Sequence, residues 1–99
     1  MIEAGRFTVP AGHPCLEGHF PGRPVVPGVV LLDLALEAIL GASPRQRVAG
    51  LPVVKFTRPV LPEQEVAVLC GPQGAGPLAF ACHVDGQEVA RGTVQLGAG

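Results

Sequence analysis

The sequence predicts an α+β fold in which a curved antiparallel β-sheet covers one apolar helix. Three observations lead to this prediction. A Pro-Gly pair opens a segment at residues 28–40 that is apolar except for two acidic residues. After Pro44 the pattern changes to alternating apolar and polar residues, which is typical of strands with one buried face. At 99 residues the chain has room for one core, so we expect a single domain over residues 1–99.

The chain begins with a strand and continues into a long irregular segment. Residues Ile2–Val9 alternate, with Phe7 on the apolar face, and the sequence Pro-Ala-Gly at 10–12 ends the strand. Residues 10–27 are rich in proline and glycine. A loop of this length within a small domain usually has a function.

Residues Gly28–Leu40 form the predicted helix. Pro27 precedes its first turn, Gly41 is a plausible C-cap, and Pro44 blocks any extension. A helix that is apolar on nearly all sides is expected to be buried on most sides.

The polar residues of this helix lie on one stripe. Asp33 and Glu37 are four residues apart and therefore share one face of the helix. This stripe is where the helix can meet a polar group.

Four antiparallel strands are expected after the helix. The first lies in residues 51–60, with Val54, Phe56 and Arg58 on one face and Val53, Lys55 and Thr57 on the other. The next three lie in residues 65–71, 77–84 and 87–96. The Asp-Gly pair at 85–86 is a strong hairpin signal between the last two.

The composition favours an oligomer and excludes several classes of function. The chain is 47% hydrophobic and only 15% charged, so we expect a second copy to cover part of its apolar surface, most simply as a homodimer. A net charge of −1 without a cluster of basic residues argues against a nucleic-acid surface. The longest apolar stretch is too short to span a membrane, and no secretory signal begins the sequence. We therefore expect a cytoplasmic protein.

The cysteines and histidines do not predict a metal site. Cys15, Cys70 and Cys82 are odd in number and lack a CxxC pair, which indicates reduced thiols. His13, Cys15 and His19 are spaced as HxCxxxH, but no fourth ligand is suitably placed. We expect neither a metal nor another cofactor.

The segment GHFPGRPVVPGVVLLD, residues 18–33, carries the candidate chemistry. Its prolines restrict the loop, which either holds His19 in a rigid turn or presents its imidazole to a pocket. Asp33 either faces solvent or contacts a pocket, because a buried carboxylate without a partner is costly. The unpaired N–H groups at the helix start, near Gly28, suit a carbonyl oxygen. Together these groups make a candidate acid–base site.

This segment resembles the signature of the bacterial β-hydroxyacyl-acyl-carrier-protein dehydratases of the hotdog fold. That signature has a histidine, Phe-Pro-Gly, a further proline, Pro-Gly and then a helix with a catalytic acid. The spacing from His19 to Asp33, 33 − 19 = 14 residues, matches it. The sequence VAGLPVVKFTRPVLPEQEV at 48–66 is also similar to the family's strand and proline turn. The resemblance therefore covers residues 18–66.

The resemblance implies a dimer whose two subunits share each active site. His19 would take the proton from the carbon next to the thioester carbonyl, and Asp33 of the partner subunit would protonate the departing β-hydroxyl. Backbone groups at Gly28 and Val25 would hold the carbonyl oxygen. Glu37, on the same stripe as Asp33, is an alternative acid.

The implied substrate is a β-hydroxyacyl thioester on acyl carrier protein or on coenzyme A. Arg23, Lys55 and Arg58 flank the proposed site and are candidates for contact with an acidic carrier protein, although isolated basic residues often only aid solubility. The acyl length, the pathway (fatty acid, polyketide or pigment) and any assembly beyond a dimer are not predicted.

Two other functions stay open. A hotdog acyl thioesterase would have the same fold, with water attacking the carbonyl carbon. A non-catalytic acyl-binding dimer would not need His19 and Asp33 to face a shared cavity. Hydratases of this fold that carry an Asp-x-Asn-x-x-His loop are disfavoured, because the chain contains no asparagine.

Overall fold

One helix and five strands make up the described part of the chain. The structure is a computed structural model, and it describes residues 1–14, 25–74 and 76–98. In chain order the elements are β1 (Ile2–Thr8), α1 (Gly28–Ala42), β2 (Gln46–Phe56), β3 (Glu65–Cys70), β4 (Leu78–Val84) and β5 (Gln87–Ala98). The predicted α+β class and the predicted order of elements are confirmed.

The five strands form one antiparallel sheet in the order β1-β3-β4-β5-β2. The two strands that flank α1 in the sequence, β1 and β2, are therefore at opposite edges of the sheet. The helix has to carry the chain from one edge to the other. This connection places α1 across the sheet.

The core lies between one face of α1 and the sheet. Leu31, Ala35 and Ile39 are four residues apart and are buried. They belong to a cluster with strand residues that include Val66, Val68, Phe80, Cys82 and Val94. The opposite face of the helix, with Val29, is exposed. The prediction that α1 is buried on most sides therefore holds only in part for a single chain.

The helix ends two residues later than predicted. Gly41 lies inside α1, and the C-cap is Ser43, whose N–H donates to the carbonyl oxygen of Leu40 at 3.0 Å. The assignment of Gly41 as C-cap was wrong. Glycine is compatible both with a C-cap and with the last turn of a helix. Here the helix continues through Gly41 to Ala42 and ends before Pro44.

The strand after the helix is longer at its start than predicted, and it stops earlier. It begins at Gln46 and ends at Phe56. The next two N–H groups, of Thr57 and Arg58, both donate to the carbonyl oxygen of Val89, at 2.9 and 3.3 Å. These two residues therefore lie beyond the strand, and the expected alternation through Arg58 was wrong. At the other edge, β1 ends at Thr8, one residue before the predicted end.

The hairpin between β4 and β5 is built as predicted. Asp85 and Gly86 have φ values of 51° and 77°. Positive φ at both central residues is the geometry of a type I′ turn, which matches the twist of the flanking strands.

Both edges of the sheet carry exposed charged and apolar side chains. On β1, Arg6 donates to the carboxylates of Glu3 (2.8 Å) and Glu65 in an exposed cluster, and Ile2 is also exposed. On β2, the apolar Leu51, Val53 and Phe56 are exposed together with the basic Arg47 and Lys55. Within the described ranges, no helix is long and apolar enough to cross a lipid bilayer.

Gly92 is required where β5 approaches β2. A Cβ atom at this position would overlap the carbonyl oxygen of Val53 and lie 3.1 Å from the Cα atom of Val54. We expect Gly92→Ala to destabilise the protein by about 1–3 kcal/mol, because backbone rather than a flexible side chain would have to move. Urea unfolding measures this change.

Gly41→Ala is the matched control for this substitution. A Cβ atom at Gly41 has no neighbour within 4 Å, and the residue is helical. The control should stabilise the protein by about 0.5–1 kcal/mol, since alanine is the better helix former. Equal unfolding midpoints for the two variants would contradict the account of Gly92.

Burial protects one cysteine from reagents. Cys70 and Cys82 are free thiols, and burial raises the pKa of Cys82 to about 11 from the usual 9. At pH 8 the thiolate fraction of Cys82 should therefore be about 100-fold lower in the native chain than in the unfolded chain. Alkylation with iodoacetamide, mapped by mass spectrometry with and without urea, checks this. Equal labelling rates in the two states would count against a buried thiol.

Candidate active site

Two of the predicted site residues lie outside the described part of the chain. His19 and Arg23 both fall in residues 15–24, which the structure does not describe. From Val25 onward, the structure describes the helix start and the elements packed around it.

The start of α1 offers backbone N–H groups without a cap. Pro27 is the N-cap residue and provides no side-chain hydrogen bond, and the first turn has no acidic residue. The N–H groups of Val30 and Leu31 both donate to the carbonyl oxygen of Pro27, at 3.0 Å each. The earlier N–H groups, including that of Gly28, have no partner within the helix. They carry the partial positive charge of a helix N-terminus, which attracts a polarised oxygen.

A cavity of about 370 Å³ lies beside this helix start. Three residues predicted for the site, Val25, Gly28 and Arg58, line it. The remaining lining residues are Val26, Leu31, Phe56, Thr57, Pro59 and Val60. The structure therefore brings the two proposed carbonyl-binding positions to one cavity, together with one of the proposed basic residues.

Backbone hydrogen bonds hold the cavity walls in place. The N–H group of Val26 donates to the carbonyl oxygen of Val60 at 2.8 Å, which joins the segment before the helix to the segment after β2. Both residues are buried. This hydrogen bond therefore links two of the segments that line the cavity.

Phe56 is a site residue that sequence reasoning missed. A Cβ atom built on Gly28 would lie 3.0 Å from the Cζ atom of Phe56, so the ring packs directly against the first residue of the helix. The alternation pattern assigned Phe56 to one face of a strand but did not predict that its ring would contact Gly28. The available signal was a glycine at the first helical position together with a large aromatic residue at a strand end.

Of the three basic residues predicted to contact a carrier protein, Arg58 and Lys55 are described, and only Arg58 lines the cavity. Arg58 donates from Nη1 to Oε1 of Gln87 at 2.7 Å. Because this partner is a neutral amide, the charge of the guanidinium group is not compensated by it. Lys55 is exposed on β2, opposite Arg91 of β5, and does not line the cavity.

Asp33 lies on the side of α1 that faces away from the sheet. It is two residues from the buried Leu31, which places it about 200° around the helix axis. Asp33 and Glu37 are both exposed, and neither lines the cavity. In a single chain, the proposed acid and the proposed carbonyl-binding groups are therefore not brought together.

The described residues contain no group of three or more His, Cys, Asp or Glu side chains that could hold a metal ion. Of the HxCxxxH residues considered above, Cys15 and His19 lie outside the described ranges.

The chain is similar to known proteins over nearly its whole length. The profile of a family described as ApeI-like, ApeI dehydratase, matches residues 3–96. The 3-hydroxyacyl-(acyl-carrier-protein) dehydratase FabZ of Thermus thermophilus is 35% identical over 100 residues, a match that covers 88% of this chain and 70% of that protein.

Solved structures share the fold. A chain of the dehydratase heterocomplex ApeI:P from Xenorhabdus doucetiae superposes with a TM-score of 0.77 at 22% identity, covering 92% of this chain and 82% of that chain. A thioesterase from Thermus thermophilus, complexed with coenzyme A and zinc, superposes with a TM-score of 0.57 at 19% identity, covering 95% of this chain and 78% of that chain.

The fold alone does not separate a dehydratase from a thioesterase, because the solved structures include both. The family match and the identity to FabZ do separate them. The chain therefore belongs to the ApeI-like dehydratase family, and it is an enzyme of the dehydratase class with the hotdog fold.

Proposed function

We propose that residues 1–99 form one domain of a cytoplasmic enzyme that removes water from β-hydroxyacyl thioesters carried on an acyl carrier protein. The observation that carries this proposal is the uncapped start of α1, which opens into a cavity nine residues after His19 in the sequence (28 − 19 = 9). The relative FabZ is named as a dehydratase of this substrate class.

The proposed reaction needs a base, an acid and a site for negative charge. His19 removes a proton from the α carbon, and the electron pair of the broken C–H bond forms an enolate. The N–H group of Gly28, with a backbone group at Val25, stabilises the enolate oxygen. Such preorganised donors each contribute about 10²–10³ in rate.

The elimination is completed by loss of the hydroxyl group. The C–O bond at the β carbon breaks while the partner subunit's Asp33 donates a proton to the departing oxygen, which leaves as water. The enolate electrons form the double bond between the α and β carbons. Proton transfer from the histidine through solvent to the aspartate restores both groups.

The exposure of Asp33 supports a shared site. Its side chain faces away from its own sheet and is accessible to another chain, which fits a site in which the partner's His19 acts with this Asp33. The edge strand β2 offers unpaired backbone groups beside the exposed Leu51 and Val53. Such an edge is a template for strand pairing. We propose that two copies pair here and that the paired copies complete each other's sites.

The proposed partner is an acidic carrier protein that delivers the thioester. Arg58 supports this role, because it lines the cavity and is held by Gln87 without a compensating charge. Lys55 and Arg23 stay candidates for the same contact. Coenzyme A is the alternative carrier.

The reaction itself is tested with a β-hydroxybutyryl thioester on carrier protein. We expect conjugated enoyl product, followed by ultraviolet absorbance, and a drop of about 10²–10⁴ in kcat for both His19→Ala and Asp33→Asn. Glu37→Gln tests the alternative acid on the same exposed stripe: it should keep its activity when Asp33 is the acid, whereas a loss as large as that of Asp33→Asn would indicate Glu37 instead. Release of free thiol without enoyl product would instead indicate a thioesterase.

Mixing the two inactive variants tests the shared site. If each site takes His19 from one chain and Asp33 from the other, a mixed dimer has one intact site and one doubly altered site. Random exchange between His19→Ala and Asp33→Asn chains should then restore about a quarter of wild-type activity. Differently tagged chains confirm that mixed dimers form. Mixed dimers without activity would rule out the shared site.

A further inference from the structure

The ring of Phe56 lies against the helix start, where the substrate carbonyl is proposed to bind. A Cβ atom at Gly28 would be 3.0, 3.1 and 3.3 Å from three atoms of this ring. Only glycine therefore fits under the ring without displacing it. The side chain is 48% exposed, so the rest of the ring is accessible beside the cavity.

The strand end fixes the position of this ring. Phe56 is the last residue of β2 and pairs with Ala90 of β5. The following residue, Thr57, donates from its N–H group to Val89 and from its hydroxyl group to the carbonyl oxygen of Glu88, at 2.9 and 3.2 Å. The backbone that carries the ring is thus anchored on both sides of Phe56.

Other residues that line the cavity are held in place by the core. Leu31 and Val60 are 3% and 2% exposed and belong to the core. Val60 is further tied to Val26 by a backbone hydrogen bond. The cavity at the helix start is therefore lined both by the exposed Phe56 and by buried core residues.

A thioester whose carbonyl oxygen binds the N–H group of Gly28 would lie close to the ring of Phe56. A carbonyl oxygen that accepts from the N–H group of Gly28 puts the carbonyl carbon about 4 Å from that nitrogen. The carbonyl carbon bears only the sulfur and the α carbon. The sulfur side is the same in all pantetheine thioesters, so substrates that differ near the ring differ at the α carbon.

We propose that Phe56 is a specificity-determining residue that admits acyl groups with an unsubstituted α carbon and excludes those with an α branch. This inference rests on the proposed function, because it takes the helix start as the carbonyl site. The ring occupies the space next to Gly28, so a methyl branch on the α carbon would compete with the ring for this space. One methyl group in a filled pocket changes kcat/KM by about 10–200-fold.

The test compares two substrates in each variant. The substrates are the 3-hydroxybutyryl thioester and its 2-methyl derivative, tested as each α epimer, and the readout is the ratio of their kcat/KM values. This ratio does not depend on the fraction of folded enzyme, so a purely structural defect leaves it unchanged. The wild-type chain should prefer the unbranched thioester by about tenfold or more.

Phe56→Ala should lower this preference by about tenfold, and Phe56→Leu should lower it less. Leu61→Ala is the control, since Leu61 is an exposed apolar residue that does not line the cavity. It should keep the wild-type ratio. An unchanged ratio in Phe56→Ala, or no preference in the wild-type chain, overturns the proposal for Phe56. A wild-type chain that forms no enoyl product overturns the proposed function as well.

A double substitution tests the contact itself. Gly28→Ala places a methyl group against the ring and should lower activity on both substrates. Adding Phe56→Leu removes the ring and should restore part of the unbranched activity. A double variant that is no more active than Gly28→Ala would contradict the proposed contact between Gly28 and the ring of Phe56.

Discussion

The structure depends on the packing of one helix across one sheet. The helix connects the two edge strands, and it is held there by a single buried stripe formed by Leu31, Ala35 and Ile39. Because a sheet covers only one face of a helix, the face that carries Asp33 stays accessible. The same crossing brings the first helical residue to the end of β2. The cavity, its backbone donors and the accessibility of Asp33 all follow from this placement.

The order of elements could be predicted because its signals are local. Pro27 and Gly28 open the helix, Pro44 prevents its continuation, and the Asp-Gly pair fixes the hairpin. The helix end was misjudged for an equally local reason. Gly41 is compatible with a cap and with a helical turn, and only the hydrogen bond from Ser43 to Leu40 decides between them.

The cavity could be predicted only in part, since its parts are distant in sequence. The backbone positions Val25 and Gly28 followed from the loop and the helix start. Phe56 is 56 − 28 = 28 residues from Gly28, and their contact depends on the pairing of β2 with β5. Alternation assigns a side chain to a strand face but does not say which element covers that face. The exposure of Asp33 is likewise absent from any local pattern, because it depends on which face of α1 the sheet covers.

The position of β2 at an edge of the sheet bears on how far the proposed pairing can proceed. Two β2 edges that pair around a two-fold axis would occupy each other, and the assembly would be closed. Pairing of β2 with β1 would instead leave one free edge at each end, so further copies would add and form a filament. Both edges carry exposed apolar and charged side chains, with Ile2 and Arg6 on β1 and Val53 and Lys55 on β2. The two-fold arrangement, rather than a difference in edge composition, would therefore limit the assembly to two copies.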